Sequence, residues 1–457
     1  MNFCINCRKL GTTYIRMAAQ PKPLSSKWKY KLDDNVEKNL EDVVFKPRHH
    51  PGIVKPSTVI LPQQFTKAIL NILEDQNNKA QIMEESKEFV RHLVNKKAPM
   101  EQDELKNVVD VLQQRVIRRL SKNRSDLVGN EHVIKNQMND RLKKAVYNWN
   151  PIKYDIRNCL LYLVGKSPAD YAVLVKIFSE IKSRDSEWKP RSLIDFGSGV
   201  GTVTWAANTV WTKSILEYFN VDAASEMNDL AELLMKEGRG EKQMSMQGIF
   251  YRQFLPATAT PYDLVVSAYS LMELPSLKNR LEVVRNLWKK TTKYLVVVEQ
   301  GTNSGYKIIN EVRDYILGHE NGHVFSPCPQ DDLCPRFMLK DGTPCNFEVR
   351  YYNLPISGPA NLLSERYSYI VLKKGKRKDN DPQWPRLVRP TLLRHKHCIC
   401  NLCTNEGKIE QAVFTASKYG KLAYRCAKAS DWGDLLPMHV KENSDGDELE
   451  DTITSNE

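Results

Sequence analysis

The fold class of this chain is set by one stretch, Ser192-Leu-Ile-Asp195-Phe-Gly197-Ser-Gly199-Val-Gly201, which continues as Thr202-Val-Thr-Trp-Ala-Ala-Asn208. An apolar, strand-forming segment runs into three glycines at alternate positions and then into helix-forming residues. Because glycine has no Cβ atom, the backbone at such positions can lie directly against a small ligand. A strand, a glycine loop and a helix in this order predict a nucleotide pocket at the end of the strand.

The glycine spacing distinguishes between classes of cofactor. A dinucleotide fingerprint places two residues between its second and third glycines, whereas the pattern here is Asp195-x-Gly197-x-Gly199-x-Gly201. This spacing resembles the S-adenosylmethionine site of Rossmann-like methyltransferases. The resemblance implies that the cofactor is bound by Asp195, Gly197, Ser198, Gly199 and Gly201. It also implies that Asp222, which follows the next apolar run, holds the ribose.

Three more short apolar runs follow, with helix-forming sequence between them. They cover residues 247–251, 262–267 and 294–299. Short β-branched runs that alternate with helices are typical of a parallel sheet covered on both faces. The sequence therefore predicts an α/β fold, a Rossmann-like class I methyltransferase sheet.

The sequence does not identify a catalytic residue. Methylation of an exocyclic amine uses a polar-Pro-Pro-aromatic motif after the fourth strand, where this chain has Ser267-Ala-Tyr269-Ser-Leu-Met-Glu273. Methylation of a pyrimidine carbon needs an activated cysteine, and no cysteine lies between Cys159 and Cys328. Tyr269 and Glu273 are candidates to orient a substrate, or they are packing residues at the start of a helix.

Composition and charge restrict the class of protein and its partners. The chain has 457 residues, of which 41% are hydrophobic and 27% charged, as in globular proteins of more than one domain. No apolar run approaches the roughly 20 residues of a membrane-spanning helix, so we expect no membrane insertion. The net charge is +12, and the two ends carry opposite charges that nearly cancel. A basic body favours a polyanionic partner, and we expect RNA and no DNA.

The two ends differ from the body in composition. Residues 1–32 hold seven basic residues and no acidic one, without a continuous apolar core, which predicts a mitochondrial presequence or, alternatively, a disordered basic arm. Residues 441–457 are acidic and predict a disordered tail. Between them we expect three parts: a helical N-terminal domain at 33–185, an S-adenosylmethionine-binding methyltransferase-like domain at 186–320, and a cysteine-rich metal-cluster and RNA-binding region at 321–440.

The cysteines predict a metal site. Seven of them fall in the last third of the chain, and in a reducing matrix metal ligation is a better explanation for them than disulfides. Cys328, Cys334 and Cys345 lie in one short stretch with flanking prolines, and Cys403 is our choice for the fourth ligand, with Cys400 as the alternative.

Thiolates presented from stiff loops suit an iron–sulfur cluster, which we favour over zinc. A zinc ion would use the same ligand type, with histidines available to join it at His319, His323, His395 and His397. Cys159 and Cys426 lie in helix-forming sequence, and we expect both to be packed in the core.

Two basic segments are candidates for contact with RNA. An apolar stripe of Leu105, Val108, Leu112, Val116 and Leu120 predicts an amphipathic helix whose polar side and exit carry several arginines. Residues 373–396 form a second basic segment, in which Trp384 would stack on a base. For both segments the alternative is a solvated surface.

Several unrelated motifs occur in one order along the chain and carry a wider resemblance. They are the glycine loop, Glu299-Gln-Gly-Thr-Asn-Ser-Gly305, the Pro-Cys-Pro pair, residues 408–418 and Asp431-Trp-Gly-Asp-Leu-Leu-Pro437. This set resembles the mitochondrial methyltransferase-like proteins associated with small ribosomal subunit assembly, and their bacterial relatives, from about Pro51 to Pro437.

The resemblance implies a mitochondrial matrix protein that binds the maturing small ribosomal subunit and its rRNA and supports mitochondrial translation. It also implies a 4Fe-4S cluster on Cys328, Cys334, Cys345 and Cys403. Three hypotheses follow: an assembly factor stabilised by the cluster, an active S-adenosylmethionine-dependent rRNA methyltransferase, or a sensor in which cluster loss stops ribosome assembly. Family members are regarded as methyltransferases, but the missing substrate motif leaves open whether this chain turns over its cofactor.

Overall fold

A computed structural model describes residues 28–99, 151–258, 260–339, 341–378 and 381–442, with scattered positions between 101 and 139. In these residues the centre of the molecule is a nine-stranded sheet. Five of its strands are β3 (Ser192–Phe196), β4 (Glu217–Val221), β5 (Ile249–Arg252), β6 (Tyr262–Ala268) and β7 (Thr291–Gln300). They are parallel, in the order β5-β4-β3-β6-β7. This confirms the doubly wound α/β sheet predicted from the sequence.

The sheet continues beyond β7 through antiparallel pairing. Strand β10 (Leu362–Lys374) pairs with β7, and its other edge pairs with both β8 (Gly322–Ser326) and β9 (Phe347–Tyr352). Strand β2 (Thr58–Val59) adds to β9. Strands on both sides of residue 320 therefore share one sheet.

Helices cover both faces of the sheet, because successive strand residues alternate between two apolar cores. Leu264 and Val296 belong to one core, and Val265 and Val297 to the other. The first core is covered by α2 (Gln63–Glu74), α4 (Ile156–Gly165), α5 (Ser167–Arg184), α6 (Thr202–Val210) and α7 (Ser225–Met235). The second is covered by α8 (Leu277–Lys290) and α9 (Asn303–His319).

A smaller unit packs beside the main sheet around its own apolar core. Its four-stranded sheet consists of β11 (Arg386–Leu387), β12 (Leu392–Leu393), β13 (His397–Cys403) and β14 (Ile409–Thr415). Strand β1 (Trp28–Leu32) pairs with β15 (Met438–Glu442) against the same core. Other helices with both ends in the described residues are α1 (Asp34–Glu41), α3 (Lys79–Asn95), α10 (Pro335–Met338), α11 (Ala416–Tyr419) and α12 (Lys421–Ala429).

The described elements bear on three of the expectations from the sequence. Strand β1 falls within the range 1–32 that we assigned to a presequence, so its residues belong to the folded body. Most of the stripe from Leu105 to Leu120 lies outside the described residues. None of the helices in the described part combines the length and apolar character that a bilayer crossing needs.

Candidate functional site

The glycine loop joins β3 to α6 in a conformation that favours glycine at each of its three alternate positions. Gly197, Gly199 and Gly201 have φ angles of +74°, +50° and +79°. A Cβ atom at Gly197 would lie 2.3 Å from the Cβ of Ser270, whereas one at Gly199 would meet only Tyr162, at 4.0 Å. Position 197 therefore requires glycine for packing, and position 199 borders open space.

Asp195 is enclosed at the end of β3. Both of its carboxylate oxygens are buried without a hydrogen-bond partner in the described residues, and the same is true of the Ser198 hydroxyl. Burial raises the pKa of Asp195 well above its usual range, and the nearby Asp222 raises it further. The geometry thus holds a buried carboxyl group beside the loop, and no residue of the described part uses its hydrogen-bonding capacity.

Asp222 follows β4 and is bound by backbone amides. Its Oδ2 accepts a hydrogen bond of 2.8 Å from the Gly199 N–H, and its Oδ1 accepts one of 3.0 Å from the Ala224 N–H. Burial raises the pKa of this carboxyl. A ribose diol at this position would have to share oxygens that already fix the glycine loop.

A cavity of about 490 Å³ opens beyond Asp222, between α7 and the end of β5. Its polar wall is formed by Ser225, Asn228 and Asp229, and the opposite wall by Tyr251 and Phe254. The cavity lies at the carboxyl ends of the parallel strands, where open α/β sheets bind ligands. Its position and size suit part of a nucleoside.

The segment after β6 is covered by the N-terminal helices of the same chain. Tyr269 has a φ of +57° and is partly buried, with the Lys166 ammonium 4.6 Å from the centre of its ring. Glu273 forms an ion pair with the buried Lys96 and accepts a hydrogen bond of 3.3 Å from the Ile152 N–H. Both side chains therefore have packing partners, and the catalytic residue stays unassigned.

The four cysteines chosen from the sequence come from separate elements and meet in one region. Cys328 follows β8, Cys334 precedes α10, Cys345 precedes β9 and Cys403 ends β13. Burial raises the pKa of the Cys403 thiol well above its usual range, and the other three cysteines raise it further through charge repulsion. Such mutual influence requires that the four sulfur atoms share one buried neighbourhood.

Two side chains of α9 border this neighbourhood. The Tyr306 hydroxyl lies 3.1 Å from the Cys334 sulfur. Burial alone would lower the pKa of Arg313, but Cys328 and Cys334 outweigh it and raise that pKa. The Arg313 guanidinium is therefore placed to offset negative charge on the cysteine thiolates. Over the described residues, however, no group of three or more His, Cys, Asp or Glu side chains is arranged to hold a metal ion.

The other cysteines lie elsewhere. Because strand residues alternate between faces, Cys398 and Cys400 point away from Cys403, and the Cys400 sulfur lies 3.9 Å from the Ala427 carbonyl oxygen. Cys426 in α12 and Cys159 in α4 are buried, as expected. The alternative ligand Cys400 is therefore separated from the other candidates, and all eight of these cysteines are free thiols.

Two of the four candidate histidines, His319 and His323, lie close to backbone carbonyl oxygens. His323 Nδ1 lies 2.7 Å from the Gly375 carbonyl oxygen, and His319 Nδ1 lies 3.1 Å from that of Tyr315. Neither contact involves the cysteines.

The basic segment 373–396 corrects an expectation. We expected Trp384 to be exposed for stacking on a base, but it is only 8% exposed, and its indole N–H donates to Asp33 Oδ2 over 3.3 Å. Arg386 is also buried, in an ion pair with Glu180. The reason is long-range: β1, α1 and α5 cover these side chains, and the local sequence carries no sign of that contact.

Comparison with known proteins connects this geometry to a family. The profile of the family described as mitochondrial small ribosomal subunit Rsm22 matches residues 157–437. The human mitochondrial ribosome assembly protein METTL17 is 36% identical over 405 residues, which cover 86% of each chain. The Rsm22-cox11 tandem protein 2 of Schizosaccharomyces pombe is 26% identical over 347 residues, covering 62% of this chain and 44% of that protein.

Solved structures resemble the chain less closely. A methyltransferase from Aquifex aeolicus, described as S-adenosylmethionine-dependent, is 13% identical, covering 48% of this chain and 99% of that one, with a TM-score of 0.31. At this score the alignment adds nothing to the fold seen in the strand order itself.

Proposed function

The chain belongs to the Rsm22 family of mitochondrial small ribosomal subunit proteins, and from this we propose that it is an assembly factor of that subunit, working in the mitochondrial matrix on precursor rRNA. The family relationship supports a role in mitochondrial ribosome assembly within a methyltransferase-like fold. The basic body, with a sequence pI of about 9.0, favours a polyanionic partner such as rRNA.

The observation that carries the mechanism is the convergence of four thiols from two sheets. Cys328 and Cys345 flank strands of the central sheet, whereas Cys403 belongs to the smaller sheet. We propose that Cys328, Cys334, Cys345 and Cys403 hold a 4Fe-4S cluster. Bound there, the cluster would supply a covalent cross-link between the two sheets. Arg313 and the Tyr306 hydroxyl would then offset thiolate charge and orient Cys334.

The arrangement of the thiols favours a cluster over zinc. Four sulfurs around one zinc ion stand about 3.8 Å apart, given tetrahedral geometry and a Zn–S bond of about 2.3 Å. A cluster takes one thiolate on each iron, which spreads the sulfurs more widely. Cys328, Cys334 and Cys345 come from loops flanked by prolines, and thiolates presented from stiff loops suit a cluster.

Cys400 and Cys403, which lie on opposite faces of β13, provide a matched experiment. We expect the full chain, purified without oxygen, to contain about four irons and to show a broad visible absorption band. Cys403→Ser should lose most of the iron and its association with the small subunit in sucrose gradients, whereas Cys400→Ser, buried on the opposite face of β13, should keep both. Retained subunit association by a folded, iron-free Cys403→Ser protein would contradict the cross-linking role. A colourless protein that holds zinc would contradict the cluster.

A second candidate function, S-adenosylmethionine-dependent rRNA methylation, is favoured by the glycine loop and the unpartnered Asp195. The contacts of Tyr269 with Lys166 and of Glu273 with Lys96 oppose it, because both candidate substrate-orienting side chains already have partners within the chain. Calorimetric titration with S-adenosylmethionine separates binding from turnover. Gly199→Leu should abolish cofactor binding while leaving the sheet folded. If that variant still supports rRNA methylation and translation, catalysis is not the essential role. A sensor role would further require that iron occupancy change under physiological conditions.

A further inference from the structure

A second cavity, of about 560 Å³, lies on the far side of the Cys345 loop. One wall is the start of α9, at Gly301, Thr302 and Asn303. The opposite wall contains two arginines, Arg366 and Arg389, and the indole of Trp432. None of these three side chains lines the methyltransferase pocket, although the charge of Arg389 lowers the pKa of the nearby Cys345 thiol.

The arginines and the tryptophan form a flat, cationic surface. The Arg366 guanidinium carbon lies 5.5 Å from the centre of the Trp432 ring, and that of Arg389 lies 5.6 Å from it. Arg366 is well exposed, with 64% of its side chain accessible to solvent. Trp432 is partly buried, and its indole N–H is enclosed without a hydrogen-bond partner in the described part of the chain. A tryptophan with adjacent guanidinium groups is the kind of surface on which nucleic-acid bases stack.

The charge at this surface is incompletely neutralised. Arg336 pairs with Asp341 at 3.1 Å and Arg366 pairs with Glu348 at 3.4 Å, but Arg389 forms no ion pair with a carboxylate of the described residues. Arg389 donates instead to Asn346 Oδ1 at 3.2 Å and to its neighbouring Val388 carbonyl oxygen at 3.3 Å. Burial lowers the pKa of Arg389, and the neighbouring Arg336 and Arg366 lower it further. An anion in the cavity would relieve this repulsion.

The start of α9 adds a second attraction for an anion. Helix α9 has 17 residues and is capped by the Thr302 hydroxyl, which accepts from the Gly305 N–H at 3.2 Å. The first N–H groups of a helix have no acceptor within it, and the helix dipole favours negative charge there. Guanidinium groups and a helix start thus face one cavity, with an aromatic ring beside them.

We propose that this cavity binds one nucleotide of single-stranded RNA, with a phosphate between Arg366, Arg389 and the start of α9 and the base on Trp432. The proposal rests on the RNA-binding function proposed above and names the site for it. A base is free to reach Trp432 only when it is unpaired, since a duplex keeps its bases stacked inside. The ligand is therefore a loop or an unpaired strand.

The test uses the purified full chain and a fluorescent ten-nucleotide oligouridylate, with binding followed by anisotropy over a salt series. Arg366→Gln should weaken binding and reduce the slope of log K against log salt by about 0.7, the value for one lost phosphate contact on a single strand. Trp432→Ala should weaken binding roughly 5- to 100-fold with an unchanged salt slope, because stacking and not charge is lost. The affinity of the Trp432→Phe protein for the oligomer should lie between that of Trp432→Ala and that of the unchanged chain.

The matched control is Arg239→Gln. Arg239 is 57% exposed and has one carboxylate partner, Glu74 at 3.0 Å, so this substitution removes the same charge from a similar setting away from the cavity. We expect its salt slope to equal that of the unchanged chain. Uridine monophosphate alone should compete poorly, whereas equal competition by nucleotide and oligomer would identify a mononucleotide pocket and overturn the proposal.

The outcomes separate the two proposals. If the unchanged chain binds the oligomer and the Arg366→Gln and Trp432→Ala proteins bind it equally well, the cavity is not the site, although RNA binding stands. If the unchanged chain does not bind the oligomer, RNA binding itself fails. Should Trp432→Ala fail to fold, as judged by circular dichroism, the Trp432→Phe and Arg366→Gln proteins decide the question.

Discussion

Arg386 and Glu180 form a buried ion pair, with 2.6 Å between Nη2 and Oε1, that joins the smaller sheet to helix α5. The Ser326 and Tyr369 hydroxyls also contact the Glu180 carboxylate, at 2.9 and 3.1 Å. Burial alone would raise the pKa of Glu180, but Arg386 and Arg184 outweigh it and lower the pKa to about 2. The carboxylate therefore stays charged at the junction between the two units.

Replacement of Arg386 by Gln should strongly destabilise the protein. The substitution leaves the Glu180 charge buried and short of a partner, which typically costs about 3–5 kcal/mol. Urea unfolding of the two proteins at pH 7 measures the difference. Arg239→Gln, which removes one member of an exposed pair, should change stability little. Equal stability of Arg386→Gln and the unchanged protein would show that the junction does not depend on this pair.

His50 should make the protein less stable as the pH falls below neutrality. Its Nδ1 accepts from the Gly52 N–H at 3.2 Å, and its Nε2 lies 2.9 Å from the Ser430 hydroxyl. Burial lowers the pKa of His50 from 6.5 to about 4. The neutral ring therefore contributes stability that is present above pH 6.5 and is lost as the pH falls towards 4, by up to about 3 kcal/mol.

The measurement compares the unchanged protein with His50→Gln by urea unfolding at several pH values between 7.5 and 4.5. The variant should lack this part of the pH dependence, so the stability difference between the two proteins should shrink as the pH falls. Parallel curves for the two proteins would exclude His50 as the titrating group.

Glu299 should make the protein less stable as the pH rises, the reverse of the effect of His50. The carboxyl group is buried at the end of β7, with Oε1 accepting from the Met272 N–H at 3.2 Å. Burial raises its pKa to about 8, so the folded protein holds the neutral acid at pH 7. Stability that is present below the unfolded-state pKa of 4.5 is lost as the pH rises through 8. Glu299→Gln should therefore become more stable relative to the unchanged protein between pH 6 and pH 9, by several kcal/mol at most, in urea unfolding. A constant difference across that range would contradict the assignment.

The first two glycines of the loop should tolerate alanine very differently. At position 197 the new Cβ would meet the Ser270 Cβ at 2.3 Å, in addition to the strain of a positive φ. We expect a loss of about 2–4 kcal/mol. At position 199 only the φ strain of about 1–2 kcal/mol applies. Thermal unfolding of Gly197→Ala and Gly199→Ala tests this order, and its reversal would mean that the loop packs differently against Ser270.

The parts of this fold that can be predicted from the sequence are those that depend on patterns of a few neighbouring residues. Apolar runs and alternate glycines predicted the parallel strands and the loop after β3, since side-chain burial and φ preference act over a few residues. The burial of Trp384 could not be predicted in this way. Its neighbours in sequence, Gln383 and Pro385, give no sign of burial, and Asp33, which accepts its indole N–H, is 351 positions away.

In the candidate site, too, some features follow from local sequence and others depend on contacts between distant segments. Strand alternation separates Cys400 from Cys403, and that difference could have been inferred once residues 397–403 were recognised as a strand. The ion pair of Glu273 with Lys96 could not have been inferred. It joins the end of a helix to a distant loop, and such a contact produces no periodic pattern in the sequence of either segment. The Arg366, Arg389 and Trp432 surface was missed for a related reason. Its members come from β10, from the loop after β11 and from the Asp431-Trp432 turn, and each looks ordinary in its local sequence.

The pairing of β1 with β15 has a consequence for biogenesis. Trp28 lies opposite Glu442, so the first described strand has no partner until residues 438–442 have been translated. Until then Tyr30 and Leu32 lack the covering that they have in the finished core. A nascent chain halted before Met438 would expose these side chains, and chaperones and proteases would recognise it as incomplete. Folding of the smaller core therefore depends on β15, the last of the described strands to be made.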